Sequence, residues 1–149
     1  EKSGLTTTIA SSIVGECIGS KGGKAISTLS LDQIMSNDYS TIVFIGGMGS
    51  RLFFEDQKAQ HLAQEMHAAG RPVAAICIAP VILAKAGLLT HKKATVFSSE
   101  IETIEELGAY YTGMDVTVDG NIITAYGPQS TLRFAKRIAD SIHQQELIK

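Results

Sequence analysis

The residues best suited to chemistry lie in Pro72-Val-Ala-Ala-Ile-Cys77-Ile-Ala-Pro80. Val73 to Ile76 reads as a buried strand. Pro80 suits the first turn of a helix, where its missing N–H costs nothing. Cys77 is thereby placed at a sharp strand-to-helix turn, the geometry of a nucleophile elbow. Ala75 and Ala79 are small enough for the crowded flanks of such a turn. A thiol beside a helix N-terminus meets a positive dipole and free N–H donors, which favour the nucleophilic thiolate. The same residues also fit a buried structural cysteine, so the turn alone does not name a reaction. A second candidate is Gly46-Gly47-Met-Gly49, which follows the apolar run Thr41-Ile-Val-Phe-Ile45. Taken alone, the paired glycines describe a tight strand-to-helix turn.

The elements that must position these residues alternate between strand and helix. Leu5 to Ala10 reads as a strand, and the Gly- and Ser-rich stretch from Ser11 to Gly23 as a loop or exposed hairpin. Ser30 is a plausible N-cap for a short helical turn. Asp56 to Ala69 carries Ala59, Leu62, Ala63 and Met66 at helical spacing and stops at Gly70 and Pro72. Val81 to Ala86 forms a short helix closed by Gly87. Thr95-Val-Phe97 reads as the next strand, and Ser99 with Glu102 as a capping box for a helix through Leu107. Asp119-Gly120-Asn121 between two apolar runs signals a hairpin. Leu132, Phe134, Ala135, Ile138 and Ile142 mark a long amphipathic C-terminal helix. Buried apolar strands separated by helices imply a mostly parallel sheet covered on both faces. In such sheets ligands gather at the carboxyl ends of the strands, where both Gly46-Gly47 and Cys77 fall.

With 149 residues, 44% of them apolar and 19% charged, the chain is read as a single globular domain. A net charge of −2 and the absence of basic runs provide no footprint for nucleic acid. The apolar stretches fall short of a helical membrane span. Two cysteines, Cys17 and Cys77, point to a cytoplasmic protein with free thiols rather than a disulfide scaffold.

Ile45-Gly-Gly-Met-Gly, Ala75-Ile-Cys77-Ile-Ala-Pro80 and Leu83-Ala-Lys-Ala-Gly-Leu-Leu together resemble the ThiJ/PfpI superfamily, supported by Ser30-Leu-Asp and Tyr126-Gly-Pro128. The resemblance runs from about Leu5 to Ile142. It implies an α/β, flavodoxin-like three-layer sandwich with a mostly parallel sheet, and a homodimer. It also makes Cys77 the nucleophile, with the backbone N–H groups of Gly47 and Ile78 as an oxyanion hole. Gly47 is expected to let the backbone approach closely. The implied substrate is a small carbonyl compound, handled in glyoxalase, deglycase or hydrolase fashion without cofactor or metal. The alternative is a redox-responsive or chaperone-like protein whose Cys77 is oxidised to sulfenate or sulfinate. A member that only binds partners is the third possibility.

The chain departs from the family pattern in three ways. Ile78 stands where protease-like members carry histidine, and Phe97 where others place one. His61, His67, His91 and His143 fall on helices or a loop with the spacing of solvated faces. The family's glutamate, at the end of its first strand, has no counterpart in the sequence order. Residues 1–149 are therefore expected to form an N-terminally incomplete domain, lacking a strand between Leu5–Ala10 and Thr41–Ile45. In relatives, the hairpin holding Cys17 and Lys21 reaches towards the dimer partner.

Overall fold

The computed structural model describes residues 3–148. In chain order the elements are β1 (Ala10–Ser11), β2 (Gly15–Ile18), β3 (Lys24–Ser27), β4 (Leu29–Ser30) and β5 (Ile42–Phe44). Then come α1 (Gln57–Ala68), β6 (Val73–Ile76), α2 (Pro80–Lys85), β7 (Lys93–Ala94) and α3 (Ile101–Glu106). The chain ends with β8 (Tyr110–Tyr111), β9 (Val116–Asp119), β10 (Ile122–Ala125) and α4 (Thr131–Ile148). The main sheet runs β5-β6-β10-β9, with β5, β6 and β10 parallel and β9 antiparallel.

Alternation along the central strands divides the core between two layers. Val73, Ala75 and Ile122 face α1, α2 and α3 and pack with Ala63, Met66, Ile82, Leu83 and Ile104. Ala74, Ile76, Ile123 and Ala125 face the other way, onto Phe134, Ile138 and Ile142 of α4. Every residue of β6 and β10 is buried, as a strand covered on both faces requires. Each large side chain so buried contributes roughly 1.5–3 kcal/mol of transfer free energy. Asp56 starts α1 by accepting hydrogen bonds from the N–H groups of Lys58 (2.8 Å) and Ala59 (3.0 Å). The β9–β10 hairpin turns as expected through Gly120, at φ 61°.

Several expectations need correction. Of the segment Leu5–Ala10, only Ala10 enters a strand. β1 pairs in parallel with β4 instead of extending the main sheet. Threonines such as Thr6 to Thr8 favour extended backbone, but here they are not part of a strand. Thr95–Phe97 is not a strand either: the short β7 lies just before it and pairs with β8. There the Thr95 N–H donates to the Thr124 hydroxyl and the Phe97 N–H to the Cys77 carbonyl, so no regular ladder forms. The capping box at Ser99 is replaced by a 3-10 turn, Ser98–Glu100, without a side-chain cap. On α4, Leu132 and Ala135 point to solvent, whereas Ala139 is buried.

β5 is an edge strand, with β6 as its one partner among the described residues. Between it and β1 lies a cavity of about 630 Å³. Ile9, Ala10 and Leu29 line it on one side, Ile42 and Phe44 on the other, and Met66 of α1 from below.

Candidate functional site

The site forms where β5 and β6 end together. β6 stops at Ile76, α2 starts at Pro80, and between them Cys77 adopts φ 67°. A non-glycine residue in this left-handed conformation costs roughly 1–3 kcal/mol, and it persists only when its surroundings over-determine it. They do so here. The Cys77 N–H donates to the Ala125 carbonyl at 3.0 Å, and the Cys77 carbonyl accepts from the Phe97 N–H at 2.9 Å. The half-buried side chain packs against the core layers on both faces of the sheet. The elbow expected from the sequence is thus present, and its strain is held by the end of β10 and by the Phe97 segment.

The two glycines play different parts, which corrects the role expected of Gly47. The close approach belongs to Gly46. A Cβ placed there would lie 2.6 Å from the Cys77 Cβ, 2.7 Å from the Ile76 carbonyl oxygen and 3.1 Å from the Ile78 nitrogen. Gly47 has open space around it, but its φ of 109° is accessible only to glycine without strain. Its carbonyl is fixed by Ser50, through the backbone N–H at 2.9 Å and the hydroxyl at 2.7 Å.

The N–H groups of Gly47 and Ile78 donate no hydrogen bond to any other described residue. Ile78 is 5% exposed, so its donor is held in a largely dry setting. Preorganised free donors beside a sulfur nucleophile can receive an anionic oxygen. The structure therefore brings Cys77 and Ile78 to one turn, with the Gly46-Gly47 turn in backbone contact with it. Cys77 itself does not line the large cavity, which on this side is lined by Ile45, Gly46, Gly49 and Ser50.

No histidine is hydrogen-bonded to Cys77 among the described residues. His61 pairs with Glu65 on the open face of α1 at 3.1 Å, and His91 meets the Tyr110 hydroxyl at 3.3 Å. His143 is exposed; His67 is half-buried, with Nδ1 unpartnered among the described residues. Phe97 fills the place next to the elbow and leans on Tyr126, ring centroids 5.4 Å apart. Among the described residues, no cluster of three or more His, Cys, Asp or Glu side chains could hold a metal ion. No helix among them is long and apolar enough to cross a membrane.

Two residues near the elbow escaped the sequence reading. Arg51, in the turn after Gly47, forms an ion pair with buried Glu100 at 2.6 Å. No local signal reveals a partner 49 positions away.

The chain as a whole is similar to known proteins. An uncharacterized protein of Methanocaldococcus jannaschii is 36% identical over 147 residues, covering 97% of this chain and 72% of that protein. Protein dj-1beta of Drosophila melanogaster is 30% identical across 99% of this chain and 80% of its own length. Deglycase PfpI of Pyrococcus furiosus is 30% identical over 80% of this chain and 72% of that protein. The crystal structure of a ThiJ/PfpI domain protein from Brachyspira murdochii superposes with a TM-score of 0.93 at 28% identity, covering 96% of this chain and 83% of that one. The model of the DJ-1/PfpI family matches residues 1–141, a span that takes in the glycine turn, the cysteine elbow and the whole of the main sheet, and the chain belongs to that family.

Proposed function

We propose that this protein is a cysteine-dependent enzyme of small carbonyl compounds, acting as a glyoxalase, deglycase or related hydrolase. The observation that carries this reading is the strained elbow Cys77, with the N–H groups of Gly47 and Ile78 unpaired among the described residues. In the proposed step the Cys77 thiolate attacks the carbonyl carbon and a C–S bond forms. The displaced π electrons move onto oxygen, and the two N–H groups receive the oxyanion. Relatives named deglycase support the substrate class. The test is methylglyoxal consumption by the wild type and by Cys77→Ala. No cofactor enters the step, and the site is proposed to work in the cytoplasm.

A second reading has its own observation: apolar Ile78 and Phe97 stand where a histidine base would, which leaves proton transfer without an obvious agent. In that reading Cys77 is a redox-responsive or chaperone-related thiol, and the same N–H groups hold the oxygens of a sulfenate or sulfinate.

The carbonyl reading needs a proton donor. We propose that the cavity between β1 and β5 seats a further strand from outside residues 1–149, bearing a carboxylic acid near Cys77. The unpaired edge of β5 and the apolar walls of the cavity support this. Because the Ile42 N–H points towards β6, bonding Pro72, the Val43 N–H points into the cavity. Its amide hydrogen is expected to exchange rapidly in residues 1–149. In a chain extended by such a strand, exchange should be slower by about 10²-fold or more. Equal exchange in the two would dismiss the additional strand.

The same family reading makes the protein a homodimer. The β2–β3 hairpin supports it, placing exposed Ile18 and Ile26 on its outer face with Ile13 and Val14 nearby. Analytical ultracentrifugation is expected to find twice the chain mass, and Ile26→Glu to shift the protein to monomer. A monomeric wild type would reject the dimer.

A further inference from the structure

We infer that Arg51 and Glu100 are a positioning pair that holds the Gly47 donor against the Cys77 elbow; the inference rests on the carbonyl chemistry proposed above. Three segments meet at the site: the Gly46–Arg51 turn, the Cys77 elbow and the turn from Phe97 to Glu100. Backbone contacts already join two of them to Cys77. Gly46 abuts it directly, and the Phe97 N–H donates to its carbonyl. The remaining link, between the first and third segments, is the ion pair.

Its geometry suits a tether. Arg51 Nη2 donates to Glu100 Oε1 at 2.6 Å, and the other carboxylate oxygen accepts from the Thr103 hydroxyl at 3.1 Å. The Glu100 side chain is 7% exposed, whereas that of Arg51 is 47% exposed and rests with Cζ 5.6 Å from the Phe54 ring centroid. A carboxylate buried this far requires its cation, so the pair resists opening more strongly than a surface pair does.

From Arg51 the link runs back through the chain to Ser50, whose N–H and hydroxyl grip the Gly47 carbonyl. From Glu100 it runs through its own N–H to the Phe97 carbonyl at 2.9 Å, and so to Cys77. The contacts make a closed ring with the donor on one side and the sulfur on the other. Opening the ring lets the glycine turn drift. A displacement of about 1 Å in a catalytic constellation costs on the order of 10²-fold in rate.

The test compares Arg51→Met, Arg51→Lys and Glu100→Gln with wild type and with Cys77→Ala. Arg51→Met is expected to lower kcat for methylglyoxal by about 10²-fold, with KM changed by less than about threefold. Arg51→Lys keeps the charge without the planar fork, and should recover part of the loss. Glu100→Gln removes the charge but keeps an acceptor, and should lie between wild type and Arg51→Met. Alkylation of Cys77 by iodoacetamide develops no oxyanion, so its rate should stay within about twofold across wild type and the Arg51 and Glu100 variants. Exchange of the Ser50 amide, which reports the grip on Gly47, should quicken about tenfold in Arg51→Met, while the Cys77 amide stays protected. If kcat is unchanged in folded Arg51→Met and Glu100→Gln while Cys77→Ala is inactive, the positioning role is wrong and the carbonyl reading stands. If Arg51→Met fails to fold, Arg51→Lys and Glu100→Gln decide. Wild-type protein without Cys77-dependent turnover removes the carbonyl reading and the positioning role together.

Discussion

Replacing Cys77 with alanine is expected to bring methylglyoxal consumption down to the uncatalysed rate, a loss of roughly 10³–10⁶-fold. The fold should survive. Alanine keeps the Cβ that packs between the strand ends, and the hydrogen bonds that hold the elbow come from the main chain. Only a partly buried sulfur is removed, so the stability change should stay within about 1 kcal/mol. Circular dichroism and a thermal melt check that point while the kinetic assay checks the chemistry. Turnover in Cys77→Ala equal to wild type would end the enzymatic reading. The redox reading is separated by mass spectrometry after mild peroxide. It expects oxygen addition at Cys77 in preference to Cys17, together with no turnover of methylglyoxal by wild type.

Gly46→Ala is the second substitution with a large expected effect. The added methyl would stand 2.6 Å from the Cys77 Cβ and 2.7 Å from the Ile76 carbonyl oxygen. Neither neighbour can step aside. Ile76 ends β6 and Cys77 follows it directly, and the neighbouring strands β5 and β10 hold β6 from either side. Forced overpacking of this kind costs about 1–3 kcal/mol, and more where the backbone must move. For a domain of this size that corresponds to a drop in Tm of roughly 2–12 °C. Activity per folded molecule should fall as well, because the turn carrying Gly47 must lift away from the elbow. Gly47→Ala is the contrasting case. It meets no atom within 4 Å, and its penalty of roughly 1–3 kcal/mol comes from φ strain alone. Equal melting temperatures for wild type and Gly46→Ala would show that the elbow is not as tightly packed as its coordinates require.

Where local rules acted alone, the sequence sufficed. The apolar run Val73–Ile76 between Pro72 and Pro80 specified a buried strand, a turn and a helix start, and all three are present. Asp56, the Leu62 and Met66 spacing and Gly70 delimited α1; Asp119-Gly120-Asn121 turned the last hairpin. The long amphipathic pattern found α4, although Leu132 proved to lie off its buried stripe. The coincidence of a cysteine and a glycine pair at strand ends was likewise legible, because a parallel sheet brings all such ends to one edge.

Tertiary structure alone settled how those ends meet. Which glycine must be bare is decided by backbone from β6, 30 residues further along, and a run of two glycines carries no mark of it. The extended stretches at Leu5–Ala10 and Thr95–Phe97 had strand-like composition, yet a strand exists only where a partner's N–H and C=O groups stand opposite. For Thr95 and Phe97 those groups were a threonine hydroxyl and the cysteine carbonyl. The Arg51–Glu100 pair depends on two turns folded against each other, so it left no trace in spacing or composition. Strand, helix and turn follow from neighbours in sequence, where periodicity and capping act. The chemistry of the elbow follows from atoms brought together by the sheet, and only packing determines those distances.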